Sequence, residues 1–160
     1  MLPAGGMADE NQFAVVLLDS LSWPQRVGIP TPRFRLFVAA DSTRNSVDEI
    51  SQFSEAALTR GMVYFCGWGP GCERFHDIVD EIIVADEAQF TPPTQRDTVM
   101  TTFHDSDTLE EALDFFATCA VPSDGYLPGS NYRLVVCIGD REWAATATRV
   151  LKAAALTDTE

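Results

Sequence analysis

The sequence predicts a three-layer, Rossmann-like α/β sandwich, a mostly parallel sheet of five to six strands with helices on both faces. Three observations carry that expectation. Short runs rich in valine, leucine and phenylalanine recur along the chain, helical stripes with identifiable caps lie between them, and glycine or proline marks most junctions. At 160 residues, 46% of them hydrophobic, the chain has the size of one such domain and can bury a continuous core. A flexible lead-in is expected at 1–12, with Met7 as an alternative start, then a single α/β domain at 13–156 and a short tail at 157–160.

FAVVLLD (13–19) has the unbroken apolar character of a strand covered on both faces. Three prolines and a glycine make SLSWPQRVGIPTP a loop, whose thirteen residues leave the direction of the first strand open. RFRLFVAA (33–40) is the second strand, and its alternation of arginine with phenylalanine and leucine predicts a partly solvated end. A helix follows in ADSTRNSVDEISQFSEAALTRG: Ser46 and Glu49 form a capping box, Gly61 a stop, and Val47, Ile50, Phe53, Ala57 and Leu58 an apolar stripe. MVYFC (62–66) is the third strand, and CERFHDIVDE a short helix with Phe75, Ile78 and Val79 inward. IIVAD (82–86) reads as a fourth strand, because a β-branched run precedes the breaker segment EAQFTPPTQRD. TVMTTFH (98–104) is the fifth strand, and SDTLEEALDFFATCA a helix opened by Ser106 or Asp107 with Leu109, Leu113 and Phe116 inward. After the loop VPSDGYLPGSN, YRLVVCIG (132–139) is the last strand, and DREWAATATRVLKAAAL a helix capped by Asp140 with Trp143, Ala147, Val150, Leu151 and Ala154 on its apolar side. Residues 62–66, 98–103 and 132–138 are expected to be central, parallel strands.

The balance of 24 acidic to 11 basic residues, a formal charge of -13, repels phosphate backbones and anionic headgroups. Nucleic acid and membrane surfaces are therefore poor partners, whereas a basic protein is attracted and steered. The single lysine, Lys152, sits in the last helical segment, which removes a Walker loop and a phosphate-accepting receiver site. No apolar stretch approaches the roughly 18–20 residues of a bilayer span. The opening MLPAGGMADENQ lacks the pattern of a secretory signal, and four cysteines without one point to the reducing cytoplasm. Cys119 and Cys137 lie in apolar settings and are expected to be buried, structural thiols.

In an open parallel sheet, ligands gather beyond the carboxyl ends of the strands. The loops expected there are ADSTRN, CGWGPGC, HDSD and GDRE, joined by Asp19 and Ser20 if the first strand is also parallel. CGWGPGC is a poor dinucleotide fingerprint, since Cys72 stands where the last glycine belongs. Its simplest reading is a tight strand-to-helix corner, in which Gly67, Gly69 and Gly71 supply conformational freedom and Trp68 folds over the sheet edge. A redox reading uses Cys72 at a helix N-terminus with Cys66 as resolving thiol, although five residues separate them. A hydrolase or transferase reading makes Cys66 the nucleophile, His104 the base and Asp105 or Asp140 the orienting group. Gly67, Trp68, Gly69, Arg74 and His76 would be the ligand contacts of such a site, His76 having a packing or capping role as its simpler reading. Asp41, Asp105, Asp107 and Asp140 could converge on Mg²⁺, but an aspartate before a helix is more commonly a cap, and neither metal ligands nor a cofactor are assigned.

GWGPGCERFHDIVDEIIV followed by VMTTFHDSDTLEEALDFF resembles a family of small bacterial α/β proteins with no assigned biochemical role. The resemblance covers most of residues 44–145, and CERFHD and MTTFHD are its distinctive parts. It implies that Cys72, Glu73, Arg74, His76, Asp77, His104 and Asp105 belong to a recurring pattern, and it carries over no activity. The two His-Asp pairs could face each other across adjacent loops with Arg74 between them. The functional expectation is a cytoplasmic, non-enzymatic interaction or accessory module of a regulatory, defence-associated or toxin-neutralising kind. The alternative is an enzyme or small-ligand or redox sensor built on Cys66, Cys72 and His104.

Overall fold

The computed structural model describes residues 12–87 and 97–158; the predicted lead-in up to residue 11, most of the breaker segment (88–96) and the end of the predicted tail (159–160) lie outside the described residues. Five strands, β1 (Phe13–Leu18), β2 (Phe34–Ala39), β3 (Met62–Trp68), β4 (Met100–His104) and β5 (Arg133–Ile138), form one sheet in the order β1-β5-β2-β3-β4. Every neighbouring pair is parallel, which settles the direction of the first strand. The helices are α1 (Val47–Arg60), α2 (Cys72–Glu87), α3 (Leu109–Thr118) and α4 (Arg141–Asp158).

Alternation along each strand divides the core into two layers. Phe34, Leu36, Val38, Phe65, Leu134 and Val136 face α1 and α2, which contribute Ile50, Phe53, Phe75 and Val79. Phe37, Ala39, Tyr64, Cys66, Val135 and Cys137 face α3 and α4, which contribute Leu113, Phe116, Ala147 and Leu151. Each fully buried leucine or phenylalanine adds about 1.5–3 kcal/mol of transfer free energy. The β1–β2 connection takes the place of a helix on the first face, where Leu21 and the Trp23 ring, 5.9 Å from Phe34 and 5.5 Å from Phe53, complete the layer. Trp23 is thus a core residue despite its loop position.

The predicted fold class holds, with corrections inside it. IIVAD is the last turn and a half of α2: Ile83 continues the inward stripe of Phe75, Ile78 and Val79, while Val84 is 64% exposed, so helical periodicity splits the β-branched run. Among the described residues the sheet accordingly has five strands, and β4, expected in the middle, is an edge. β1, whose apolar run suggested cover on both faces, is the other edge and is only half-buried. α3 is capped by Thr108 instead of Ser106 or Asp107: its hydroxyl accepts from the Glu111 N–H while the Glu111 carboxylate accepts from the Thr108 N–H. The boxes predicted at Ser46–Glu49 and Gly61 are present, although Val47 points to solvent. Cys119, expected inside, is exposed beyond the end of α3.

Arg35 also reverses expectation. It is buried at the start of β2 and donates to the carbonyls of Ser130 and Ala120 and to Asn131 Oδ1, at 2.9, 3.0 and 3.1 Å. Burial, with Arg133 alongside, lowers its pKa to about 10. The guanidinium ties down the α3–β5 connection at the amino edge, so the alternation in RFRLF reflects hydrogen bonding within the fold.

Candidate functional site

Because all five strands run one way and the helices α1 to α4 follow strands, the carboxyl ends of the strands and the N-termini of the helices share one edge. On this edge β3 runs through Cys66 and Gly67 to Trp68, Gly69, Pro70 and Gly71 turn the chain, and Cys72 opens α2. Gly69, at φ +112°, lies so close that a β-carbon would run into the Ala40 carbonyl. The turn is clasped to the end of β2. Ala40 N–H donates to Trp68 O, Ser42 N–H and Oγ both donate to Pro70 O, and Arg74 donates to Ser42 O at 3.0 Å. Arg74 therefore serves the corner and does not lie between two histidines. Cys66 is completely buried, and burial pushes its thiol up to about 12 against a partial offset from a Thr102 hydrogen bond. Burial likewise raises the Cys72 thiol, and both cysteines are free.

The two His-Asp pairs lie on opposite faces of β4. His104 sets Nδ1 2.8 Å from Asp107 Oδ2 and Nε2 3.2 Å from the Thr102 hydroxyl, with its ring against Phe115. On the other face, His76 of α2 meets Asp77 through Nδ1 at 3.1 Å and the Thr101 hydroxyl through Nε2 at 3.0 Å, with Phe103 beside the ring. Thr101 also donates to Asp80 at 2.7 Å. Strand alternation explains the separation: 101 and 103 face α2, 102 and 104 face α3. The group orienting His104 is Asp107, not Asp105, which is exposed and accepts from Ser106, nor Asp140, which lies at the end of β5 with β2 and β3 intervening. Thr101 and Thr102 were missed by sequence reasoning, although their i, i+2 spacing from Phe103 and His104 was the available signal.

A crevice of about 370 Å³ opens where β1, β5 and β2 end, lined by Asp19, Ser20, Leu21, Asp41, Arg44, Asn45, Ile138, Gly139, Asp140 and Trp143. The parallel first strand brings Asp19 and Ser20 to it. Asp140 caps α4, its Oδ1 accepting from the N–H groups of Glu142 and Trp143. Asp41 accepts from Thr43 and pairs with Arg44 at 3.5 Å. Trp143, assigned by sequence only to an apolar stripe, stands at the crevice wall with its ring edge-on to Trp68, 5.2 Å away, and Trp68 donates to Asp107 O. Among the described residues no group of three or more His, Cys, Asp or Glu side chains is placed to hold a metal ion.

Acidic residues accumulate here for a physical reason. Carboxylates favour the positive end of a helix, and the first turns of α1, α3 and α4 carry Asp48, Glu49, Glu110, Glu111 and Glu142 on this edge. The opposite edge is of mixed charge, with Arg33, Arg35, Arg60 and Arg133 beside Asp86, Glu87, Asp97 and Asp124. No helix among the described residues is long and apolar enough to cross a membrane. A family model described as a domain of unknown function (DUF7684) matches residues 16–154. No curated protein and no solved structure gives a significant match.

Proposed function

We propose, for a chain that belongs to the DUF7684 domain family, a non-enzymatic interaction module that receives a basic protein partner at the carboxyl edge of its sheet. The observation behind this reading is the excess of carboxylates on that edge, where Asp19, Asp48, Asp105, Glu110, Asp140 and Glu142 stand against Arg44, Arg74 and Arg141. A field of this sign steers a basic surface toward the loops after β1, β2, β4 and β5. A cytoplasmic setting, and a regulatory, defence-associated or toxin-neutralising role, agree with a small acidic chain of this kind. Affinity capture from the source organism, followed by titration of the recovered partner, tests the reading. Binding should weaken as salt rises to physiological strength, where screening acts over about 8 Å. Salt-insensitive binding would remove the acidic edge as the basis of recognition.

A second reading, an enzyme or sensor using His104, is favoured by one arrangement. Thr102, His104 and Asp107 align hydroxyl, imidazole and carboxylate in the manner of an activated nucleophile. The buried, un-ionised thiols of Cys66 and Cys72 fit less well in that scheme.

A further inference from the structure

We propose that the crevice at the ends of β1, β5 and β2 is a guanidinium-binding site, seating an arginine side chain of the basic partner; the inference rests on the interaction-module reading above. The crevice lies where neighbouring strands send the chain to opposite faces, β2 to α1 and β5 to α4. Its volume, about 370 Å³, falls within the range of small-ligand sites. Leu21, Ile138 and the Trp143 indole provide apolar walls. At Gly139 the space a β-carbon would fill is empty, so a ligand can come up to the main chain.

The remaining lining selects the ligand. Asp41 is already engaged by Thr43 and Arg44, and Asp140 uses only Oδ1 for its cap. Asp19, exposed just past the end of β1, has no hydrogen-bond or ion-pair partner among the described residues and stands beside Asp140, just past the end of neighbouring β5. With Arg44 drawn to Asp41, the charges left over are those of Asp19 and Asp140, a net negative lining that disfavours phosphates and carboxylates and suits a cation rich in N–H donors. A guanidinium meets both demands with a planar fork for carboxylate oxygens and a flat face for an aromatic wall. An ammonium supplies the charge without the plane.

The test is titration of the full chain with a hexa-arginine peptide and with its neutral hexa-citrulline counterpart. Binding is followed by calorimetry and by the indole N–H resonance of Trp143, assigned through Trp143→Phe. Hexa-arginine should bind and move the Trp143 resonance, and hexa-citrulline should not. Asp19→Asn should weaken binding about three- to fivefold, whereas Asp124→Asn at the opposite edge should leave it unchanged. Equal weakening by both substitutions, or binding without movement of Trp143, overturns the crevice while leaving the acidic-edge reading standing. Equal binding of the citrulline peptide overturns the guanidinium assignment. Failure of hexa-arginine to bind at all overturns both.

Discussion

Cys66 sits between β2 and β4 under α3, and its chemistry follows from that enclosure. In iodoacetamide labelling with peptide mapping, exposed Cys119 should react first and Cys66 only on unfolding. Rapid neutral-pH modification of Cys66 or Cys72 would bring the thiol-based reading to the front. The same burial has a pH signature. Cys66 and Cys137 are both pushed from 9.0 to about 12, so above about pH 9 the unfolded chain releases protons that the folded chain keeps. Stability is therefore full below that pH and falls as pH rises toward 12; Arg35, lowered to about 10, acts in the opposite sense but only at higher pH. A urea midpoint that declines beyond about pH 9, and a shallower decline in Cys66→Ala/Cys137→Ala, are the expected results. Gly69 supplies a sharper case. Gly69→Ala sets a β-carbon against the Ala40 carbonyl at positive φ and should cost more than about 2 kcal/mol in denaturant unfolding. The sequence exposed this corner because glycine and proline announce backbone geometry locally. The burial of Arg35 was invisible, since its acceptors lie 85 to 96 residues away.

Helices were the most legible elements, because caps and stripes are written within one or two turns. Ser46 and Glu49, Gly61 and Asp140 all act as their spacing announced. α3 shows how close competition among cap residues can be: Asp107 and Thr108 each stand three residues before a glutamate, Glu110 and Glu111, and Thr108 takes the cap while the Asp107 carboxylate is engaged by His104. Thr108→Ala should cost about 1 kcal/mol, while Ser106→Ala should be nearly neutral, by thermal or denaturant unfolding. Asp107 has another task, holding His104 and presenting its carbonyl to Trp68. IIVAD was misjudged because three β-branched residues signal a strand by composition alone. The stripe begun at Phe75 outweighs that propensity once a core is available to receive Ile83.

Across the whole molecule, alternation of strands and helices was enough to announce layers and parallel pairing, but not the order of strands. Order is decided by which surfaces meet after the chain has crossed the sheet, and no local pattern encodes it. The candidate site was legible to the same extent: the loops were identified, yet the crevice exists only because β5 inserts between β1 and β2 and carries Asp140 and Trp143 beside Asp19. That insertion also dictates a sequence of events during synthesis. Among the described strands β1 emerges from the ribosome before the others but pairs with β5 alone, register for register from Phe13–Arg133 to Leu18–Ile138. Until β5 has been made, β2, β3 and β4 can assemble while β1 has no neighbour, and its apolar FAVVLL run must wait, open to chaperones or to other chains. A nascent chain stalled before β5 should thus give protease-resistant fragments from the β2–β4 region and a cleavable N-terminus, and protection of β1 should appear in one step as β5 clears the exit tunnel.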